Sequence, residues 1–123
     1  HTRLQGDWSS DVCSSDLNID LVEGNFNDTL PTTLNAFPEC QLVYVDGNHT
    51  EEATLRYFEL LLQHKNITCI VLDDIYWSKG MMRAWKQICA DSRIELSLDF
   101  YWFGVVFLNG RMRKEHFNLY LPR

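Results

Sequence analysis

The sequence predicts an α/β fold with a parallel sheet that ends in an antiparallel hairpin. Two short apolar segments, 42–45 and 67–72, have the character of strands. The second is an unbroken run rich in β-branched residues, which is typical of a strand covered on both faces. A segment with helical periodicity follows each strand, at 50–63 and 79–90. This alternation favours parallel pairing through right-handed crossovers.

The two helices are predicted from apolar side chains that recur at helical spacing. Asn48 followed by Glu51 fits a capping box for the helix at 50–63. Ser78 can cap the helix at 79–90 in the same way. The apolar stripes consist of Ala53, Tyr57, Phe58, Leu61 and Leu62 in the first helix and Met81, Ala84, Trp85, Ile88 and Cys89 in the second.

The hairpin is predicted from strict alternation over 94–102, a strand at 104–108 and a tight reversal between them. A short last strand is expected at 116–121, and a short strand at 18–22 and a helix at 28–37 are expected near the start. The positions predicted to face the core in the first hairpin strand are Ile94, Leu96, Leu98, Phe100 and Trp102. Those predicted to face solvent are Glu95, Ser97, Asp99 and Tyr101.

Composition narrows the function classes. The chain has 123 residues, enough for one domain, and a net charge of -6, which argues against a nucleic-acid backbone as partner. No apolar run reaches the length of a bilayer span, so no membrane partner is expected. The four cysteines show no spacing typical of zinc sites. With no signal peptide recognised, we expect a reduced, cytoplasmic setting.

The first seventeen residues differ from the rest. A Ser-Ser-Asp triplet at 9–11 recurs at 14–16, and the segment has neither helical nor strand periodicity. It resembles translated sequencing-adapter DNA, so 1–17 is predicted to be a non-native, disordered leader and 18–123 the domain itself. The alternative is a native disordered leader.

Polar turns follow the predicted strands, and ligands of open parallel sheets bind beyond the carboxyl ends of the strands. The turns lie at 23–26, 46–49 and 73–77, and two of them begin with an aspartate, Asp46 and Asp73. A carboxylate at the end of a buried strand needs a partner, because burial of an unpaired charge is costly. Either acid could simply cap its turn; together they indicate a binding site.

Two motifs carry a resemblance to a known family: Val-Asp-Gly-Asn-His at 45–49 and Leu-Asp-Asp-Ile-Tyr-Trp-Ser-Lys-Gly-Met at 72–81. They resemble the second half of class I, Rossmann-like S-adenosylmethionine-dependent methyltransferases, and most of all the small O-methyltransferase-like group. The resemblance covers about 18–121. It implies a partial methyltransferase sheet, with strands 3 to 7 of the order 3-2-1-4-5-7-6.

The resemblance also implies roles for individual residues. Gly24, Asn25 and Phe26 would meet the adenine of S-adenosylmethionine. Asp46 would lie near the sulfonium and the acceptor, and His49 would serve as general base for a hydroxyl. A surface histidine in the first turn of a helix is the other interpretation of His49.

Metal-dependent relatives place an acid after strand 4 and an Asp-Asn pair after strand 5. Here Asp46, Asp73 and Asp74 occupy those places, so a magnesium site is possible on residue type, although the second member of the pair differs. Asp74 is also a candidate catalytic residue. Tyr76 and Trp77 either line an acceptor pocket or pack in the fold.

The expected function is methyl transfer to a small-molecule hydroxyl or a similar acceptor. None of the six glycines forms the glycine-rich turn that this fold uses for its cofactor, so the chain alone is expected to bind S-adenosylmethionine poorly and to be inactive. The resemblance does not include strand 1, which is the neighbour of strand 4 in the family's strand order. The strand at 42–45 would therefore form an exposed edge open to self-association. The alternatives are a magnesium-dependent phosphoryl-transfer or phosphatase-like domain and a non-catalytic remnant.

Overall fold

The computed structural model describes residues 18–110 and 113–120. The chain divides into two compact units, His1–Phe37 and Pro38–Arg123. The leader predicted at 1–17 lies outside the described residues, and its non-native origin stays a prediction.

The first unit contains one described helix, α1 (Phe26–Ala36). It begins two residues earlier than predicted because the Asn25 side chain caps it, accepting a hydrogen bond from the Asn27 backbone N–H at 2.8 Å. Pro31 therefore lies inside the helix. The strand expected at 18–22 is absent, which corrects the prediction. A strand needs a neighbour to complete its hydrogen-bond ladder, and no described residue provides one.

The second unit is a five-stranded open sheet of order β1-β2-β4-β3-β5. Its strands β1 and β2 are parallel, β4 runs antiparallel to both of its neighbours, and β3 is parallel to β5. The elements are β1 (Leu42–Val45), α2 (Glu51–Leu62), β2 (Cys69–Asp73), α3 (Lys79–Ala90), β3 (Ile94–Asp99), β4 (Phe103–Leu108) and β5 (Glu115–Asn118).

This topology confirms the predicted α/β class, and the order of β1, β2, β4 and β3 corresponds to 4-5-7-6 of a partial Rossmann-like sheet. The antiparallel strand is internal, as this order implies. β4 inserts between β2 and β3, where it can pair on both sides, and β5 forms the edge beyond β3. The carboxyl ends of β1, β2 and β3 therefore point to the same side of the sheet.

The core lies between the sheet and its helices. Fully buried side chains include Leu61 of α2, Ile70 of β2, Ile88 of α3 and Val106 of β4. Among the described residues, no helix is both long enough and apolar enough to cross a membrane.

The β3 strand departs from the predicted alternation. A register shift occurs between Ile94 and Leu96, so the strand carries an irregularity of the β-bulge kind. One extra residue moves every later side chain to the opposite face. Ser97 and Asp99, predicted to face solvent, are each only 1% exposed, which corrects that prediction.

The structure confirms the predicted N-cap of α3 and contradicts the one predicted for α2. Ser78 caps α3 as predicted, accepting from the Met81 backbone N–H at 3.1 Å. The cap of α2 is Thr50, which accepts from the Ala53 N–H at 3.2 Å, so the capping box predicted for Asn48 is wrong. Asn48 instead adopts a left-handed conformation with φ of 50°, three residues before the helix begins.

Candidate functional site

Four predicted site residues meet at the carboxyl ends of β1 and β2. Asp46 directly follows β1, Asp73 is the last residue of β2, and Asp74 follows it. His49 lies in the turn between β1 and α2. The parallel pairing of β1 with β2 brings the two acidic turns side by side.

The four side chains form a tight group, which we call the acidic cluster: Asp46, His49, Asp73 and Asp74. One ligand atom from each lies within 4.8 Å of the others. The Nε2 atom of His49 is 3.4 Å from Asp46 Oδ1 and 3.4 Å from Asp74 Oδ2. This nitrogen is buried, and none of the residues that the structure describes gives it a well-aligned hydrogen bond.

The backbone around the cluster is held in an uncommon conformation. Asp74 has φ of 54°, in the left-handed region that aspartate tolerates better than most residues. Its N–H donates to the carbonyl of Trp102 at 2.8 Å, and its carbonyl accepts from the Trp77 N–H at 2.9 Å. The β3–β4 hairpin thus fixes the direction in which Asp74 leaves the sheet. Uncommon φ values concentrate at functional sites.

Tyr44 joins the cluster from β1, and the sequence reasoning missed it. Desolvation, the negative charge of Asp73 and a hydrogen bond to that carboxylate raise the pKa of Tyr44. The signal was present in the sequence, because side chains two apart on a strand share a face and Tyr44 stands two residues before Asp46.

The donor set fits a divalent cation. Three carboxylates supply oxygen, the ligand type that magnesium prefers, and the imidazole adds a nitrogen. Opposite ligands in an octahedral magnesium site lie about 4 Å apart, close to the spread of these atoms. The orphaned His49 Nε2 is also the kind of polar atom that a bound group would satisfy.

An aromatic cavity adjoins the cluster at Asp74. It has a volume of about 250 Å³ and is lined by Asp74, Tyr76, Trp77, Tyr101 and Trp102. The ring of Trp77 also approaches the ring of His49, with 5.7 Å between centroids. Tyr76 and Trp77, named from the sequence as acceptor-pocket candidates, thus line one cavity.

A family model described as a methyltransferase domain matches residues 5–75, which is more than half of the chain. The chain belongs to this methyltransferase family. No curated protein and no solved structure matches it. The matched region includes β1, α2 and β2 and therefore every member of the acidic cluster. It also includes 5–17, and the narrower O-methyltransferase-like group stays a prediction.

The methyltransferase domain holds a further carboxylate that the sequence reasoning placed on the wrong face. Asp99, at the carboxyl end of β3, is buried and accepts three hydrogen bonds. The donors are Trp85 Nε1 at 3.0 Å, the Tyr101 backbone N–H at 2.8 Å and the Tyr76 hydroxyl. Burial and this bond raise the pKa of Tyr76 well above its ordinary value.

A larger cavity of about 430 Å³ lies between α3 and β5 of the methyltransferase domain. It shares Tyr76 with the aromatic cavity but includes no member of the acidic cluster. Burial raises the pKa of the Cys89 thiol in its wall to about 11. Of the two cavities, the smaller one is lined by Asp74 and so adjoins the acidic cluster.

The residues predicted to meet the adenine lie in the first unit of the methyltransferase chain. Asn25 uses its carboxamide to cap α1, and Phe26, which is 37% exposed, begins that helix. Gly24 has φ of 138°, and a Cβ there would lie 2.7 Å from the Thr29 methyl group, so only glycine fits. Their role in cofactor binding stays a prediction.

Proposed function

We propose that this methyltransferase domain transfers a methyl group from S-adenosylmethionine to the hydroxyl of a small molecule, with the acidic cluster as its catalytic centre. The observation that carries the proposal is the meeting of four candidate ligand atoms within 4.8 Å at the carboxyl ends of β1 and β2. Open α/β sheets bind their ligands on this side.

In this proposal His49 is the general base. Its Nε2 accepts the proton of the acceptor hydroxyl while the oxygen attacks the methyl carbon. The new carbon–oxygen bond forms as the carbon–sulfur bond breaks, and the electron pair of that bond stays on sulfur. Asp46 and Asp74, each 3.4 Å from Nε2, attract the positive charge that the protonated ring then carries.

Asp46, Asp73 and Asp74 would hold a divalent cation, for which Mg²⁺ suits the oxygen donors. When bound, the ion supplies positive charge that favours ionisation of the acceptor hydroxyl. The residues themselves contribute positioning, since methyl transfer depends on alignment of the acceptor oxygen, the methyl carbon and the sulfur. Asp46, with 53% of its side chain exposed, is open to a cationic sulfonium.

The same acids would also suit magnesium-dependent phosphoryl transfer. The family match favours methyl transfer, and the sequence has no DxDx[TV] stretch to supply an aspartyl nucleophile. Phosphatase activity with Mg²⁺ on a simple aryl phosphate would support the alternative instead.

Binding of Mn²⁺, followed by electron paramagnetic resonance, tests the metal site in the chain as it stands. We expect the substitution Asp74→Asn to weaken binding at least tenfold, because it removes one carboxylate charge from the cluster. Asp28→Asn, an exposed acid in the first turn of α1, is the control and should leave Mn²⁺ binding unchanged. Equal affinity for both variants would rule out the cluster as a metal site.

Transfer of a labelled methyl group tests the chemistry. The assay uses the 123-residue chain, and calorimetry with S-adenosylhomocysteine accompanies it. We expect His49→Gln to abolish transfer while binding of S-adenosylhomocysteine stays unchanged. Full activity of the His49→Gln variant would contradict its role as base.

A further inference from the structure

We infer that the aromatic cavity beside Asp74 is a binding site for a small, uncharged, single-ring aromatic compound that presents its hydroxyl to Asp74. As an acceptor site the inference rests on the proposed function. As a ring-binding site it rests on the cavity alone, and it can be tested without methyl transfer.

The wall of the cavity consists of aromatic rings at contact distance. Tyr76 and Tyr101 stack with 5.3 Å between centroids and 28° between planes. Tyr101 meets Trp102 edge-on, with 4.8 Å between centroids and 86° between planes. Trp77 and Trp102 are 68% and 58% exposed, more than any other large hydrophobic residue described except Leu42 at 59%. A pair of exposed tryptophans beside a cavity marks a binding surface.

The size of the cavity limits the ligand. At about 250 Å³ it lies below the roughly 300–1,000 Å³ of sites for drug-sized ligands. One aromatic ring with small substituents suits this space, whereas a nucleoside or a fused polycycle would extend into solvent.

Charge limits the ligand further. Asp74 is the charged residue in the lining, and the other carboxylates of the acidic cluster lie next to it. The lining contains no lysine or arginine that could pair with an anionic substituent. An uncharged ring is therefore favoured over one with a carboxylate or phosphate. Asp74 is also the carboxylate that His49 Nε2 approaches at 3.4 Å, so a hydroxyl hydrogen-bonded to Asp74 would lie near the proposed base.

Asp99 is the positioning residue of this wall. Its carboxylate holds the hydroxyl of Tyr76 and the backbone N–H of Tyr101. Tyr101 is kept at φ of 72°, a conformation that is rare for a bulky side chain. The buried carboxylate of Asp99 therefore fixes the positions of the stacked Tyr76 and Tyr101 rings. The cavity is formed before a ligand binds.

Titration of the isotope-labelled chain with phenol, followed by the indole N–H signals in NMR, tests the inference. We expect the signals of Trp77 and Trp102 to shift, while that of Trp85, buried and bonded to Asp99, stays in place. Cyclohexanol keeps the hydroxyl but lacks the aromatic ring, and 4-hydroxybenzoate keeps both but carries a negative charge. Both compounds should bind more weakly than phenol. Equal shifts with all three ligands, or a shift of Trp85 alone, would overturn the inference.

Variants locate the site. Trp77→Ala and Trp102→Ala should each weaken phenol binding about fivefold to tenfold, because each removes a ring contact. Phe117→Ala, an exposed aromatic residue of β5 outside the cavity lining, should leave it unchanged. An equal loss in all three variants would contradict the placement.

Two further measurements separate the inference from the proposed function. Asp99→Asn should weaken phenol binding while Mn²⁺ binding stays unchanged, and Asp99→Glu, which keeps the carboxylate, should restore part of the phenol affinity. Loss of both affinities would overturn the positioning role. Phenol binding without Mn²⁺ binding would leave the cavity assignment intact and contradict the metal centre; the reverse result would contradict the cavity assignment alone.

Discussion

Two groups of carboxylates lie at the same side of the sheet and differ in what surrounds them. Asp46 and Asp74 at the ends of β1 and β2 are 53% and 35% exposed at the side chain, and both approach an imidazole without a well-aligned hydrogen bond to it. Asp99 at the end of β3 is 1% exposed and accepts three hydrogen bonds from neutral donors.

The difference in exposure and hydrogen bonding distinguishes a carboxylate that could bind a ligand from one that stabilises the fold. A carboxylate whose oxygens already accept several hydrogen bonds contributes to the fold, since loss of the acceptor leaves buried donors unsatisfied. A partly exposed carboxylate contributes little to stability and keeps lone pairs available for a cation. The same residue type thus occupies two different environments at the carboxyl ends of the strands.

The largest expected effect follows from removing the buried acid. Asp99→Ala should lower the free energy of unfolding by about 3–5 kcal/mol, because the Trp85 N–H and the Tyr76 hydroxyl lose their shared acceptor. Asp46→Ala, the matched change in the acidic cluster, should alter stability by less than about 1 kcal/mol. Urea denaturation of both variants measures the difference, and similar losses would remove the distinction between the two groups.

Cation binding should give the next largest effect and act on the acidic cluster only. With Mg²⁺ or Mn²⁺ at about 100 times the dissociation constant, the free energy of unfolding should rise by about 2.7 kcal/mol. The gain should fall to about 1.4 kcal/mol or less in Asp74→Asn, because an affinity at least tenfold weaker leaves the cation at no more than about ten times its dissociation constant. Denaturation with and without the cation is the measurement; a full gain in Asp74→Asn would show that the ion binds elsewhere.

Gly104 provides a test of packing in the core around the buried Asp99. A Cβ at Gly104 would lie 2.4 Å from the ring of Trp85, which donates to Asp99. Gly104→Ala should therefore cost about 2 kcal/mol of unfolding free energy, as overpacking of a filled core does. Gly80→Ala is the control, since its Cβ would meet its nearest atom at 3.4 Å, and alanine suits a helix better than glycine. A thermal melt in which Gly80→Ala loses as much as Gly104→Ala would refute this account.

The acidic cluster was predictable because it rests on local signals. Apolar runs end in acids at Asp46 and Asp73, parallel pairing brings such ends together, and both regularities are visible in the sequence. The structure brought these predicted residues together, and their chemical roles remain proposals. Tyr44 lay within reach of the same reasoning, since it shares the strand face of Asp46.

Asp99 was not predictable, because its placement depends on an irregularity that alternation cannot reveal. The register shift between Ile94 and Leu96 turns the expected solvent face of β3 toward the interior. The position of β4 between β2 and β3 was predicted only through the family resemblance, because it depends on long-range pairing rather than on the residues of β4. The strand expected at 18–22 failed for a related reason, since a strand requires a partner as well as an apolar pattern.

The smallest expected effect extends the comparison to a third carboxylate, which lies at the surface and has a cationic partner. Hydrogen bonds from Arg93 lower the pKa of Asp91 below its ordinary value of 3.8, with the closest contact at 2.8 Å. A lowered pKa in the folded state stabilises the fold above the ordinary pKa, and this stabilisation is lost as the pH falls through the folded-state value. Asp91→Asn should therefore cost about 1 kcal/mol near neutral pH and almost nothing once the pH has fallen below the folded-state pKa of Asp91. Urea denaturation of both proteins across this pH range checks the sign, and a cost that grows in acid would contradict it.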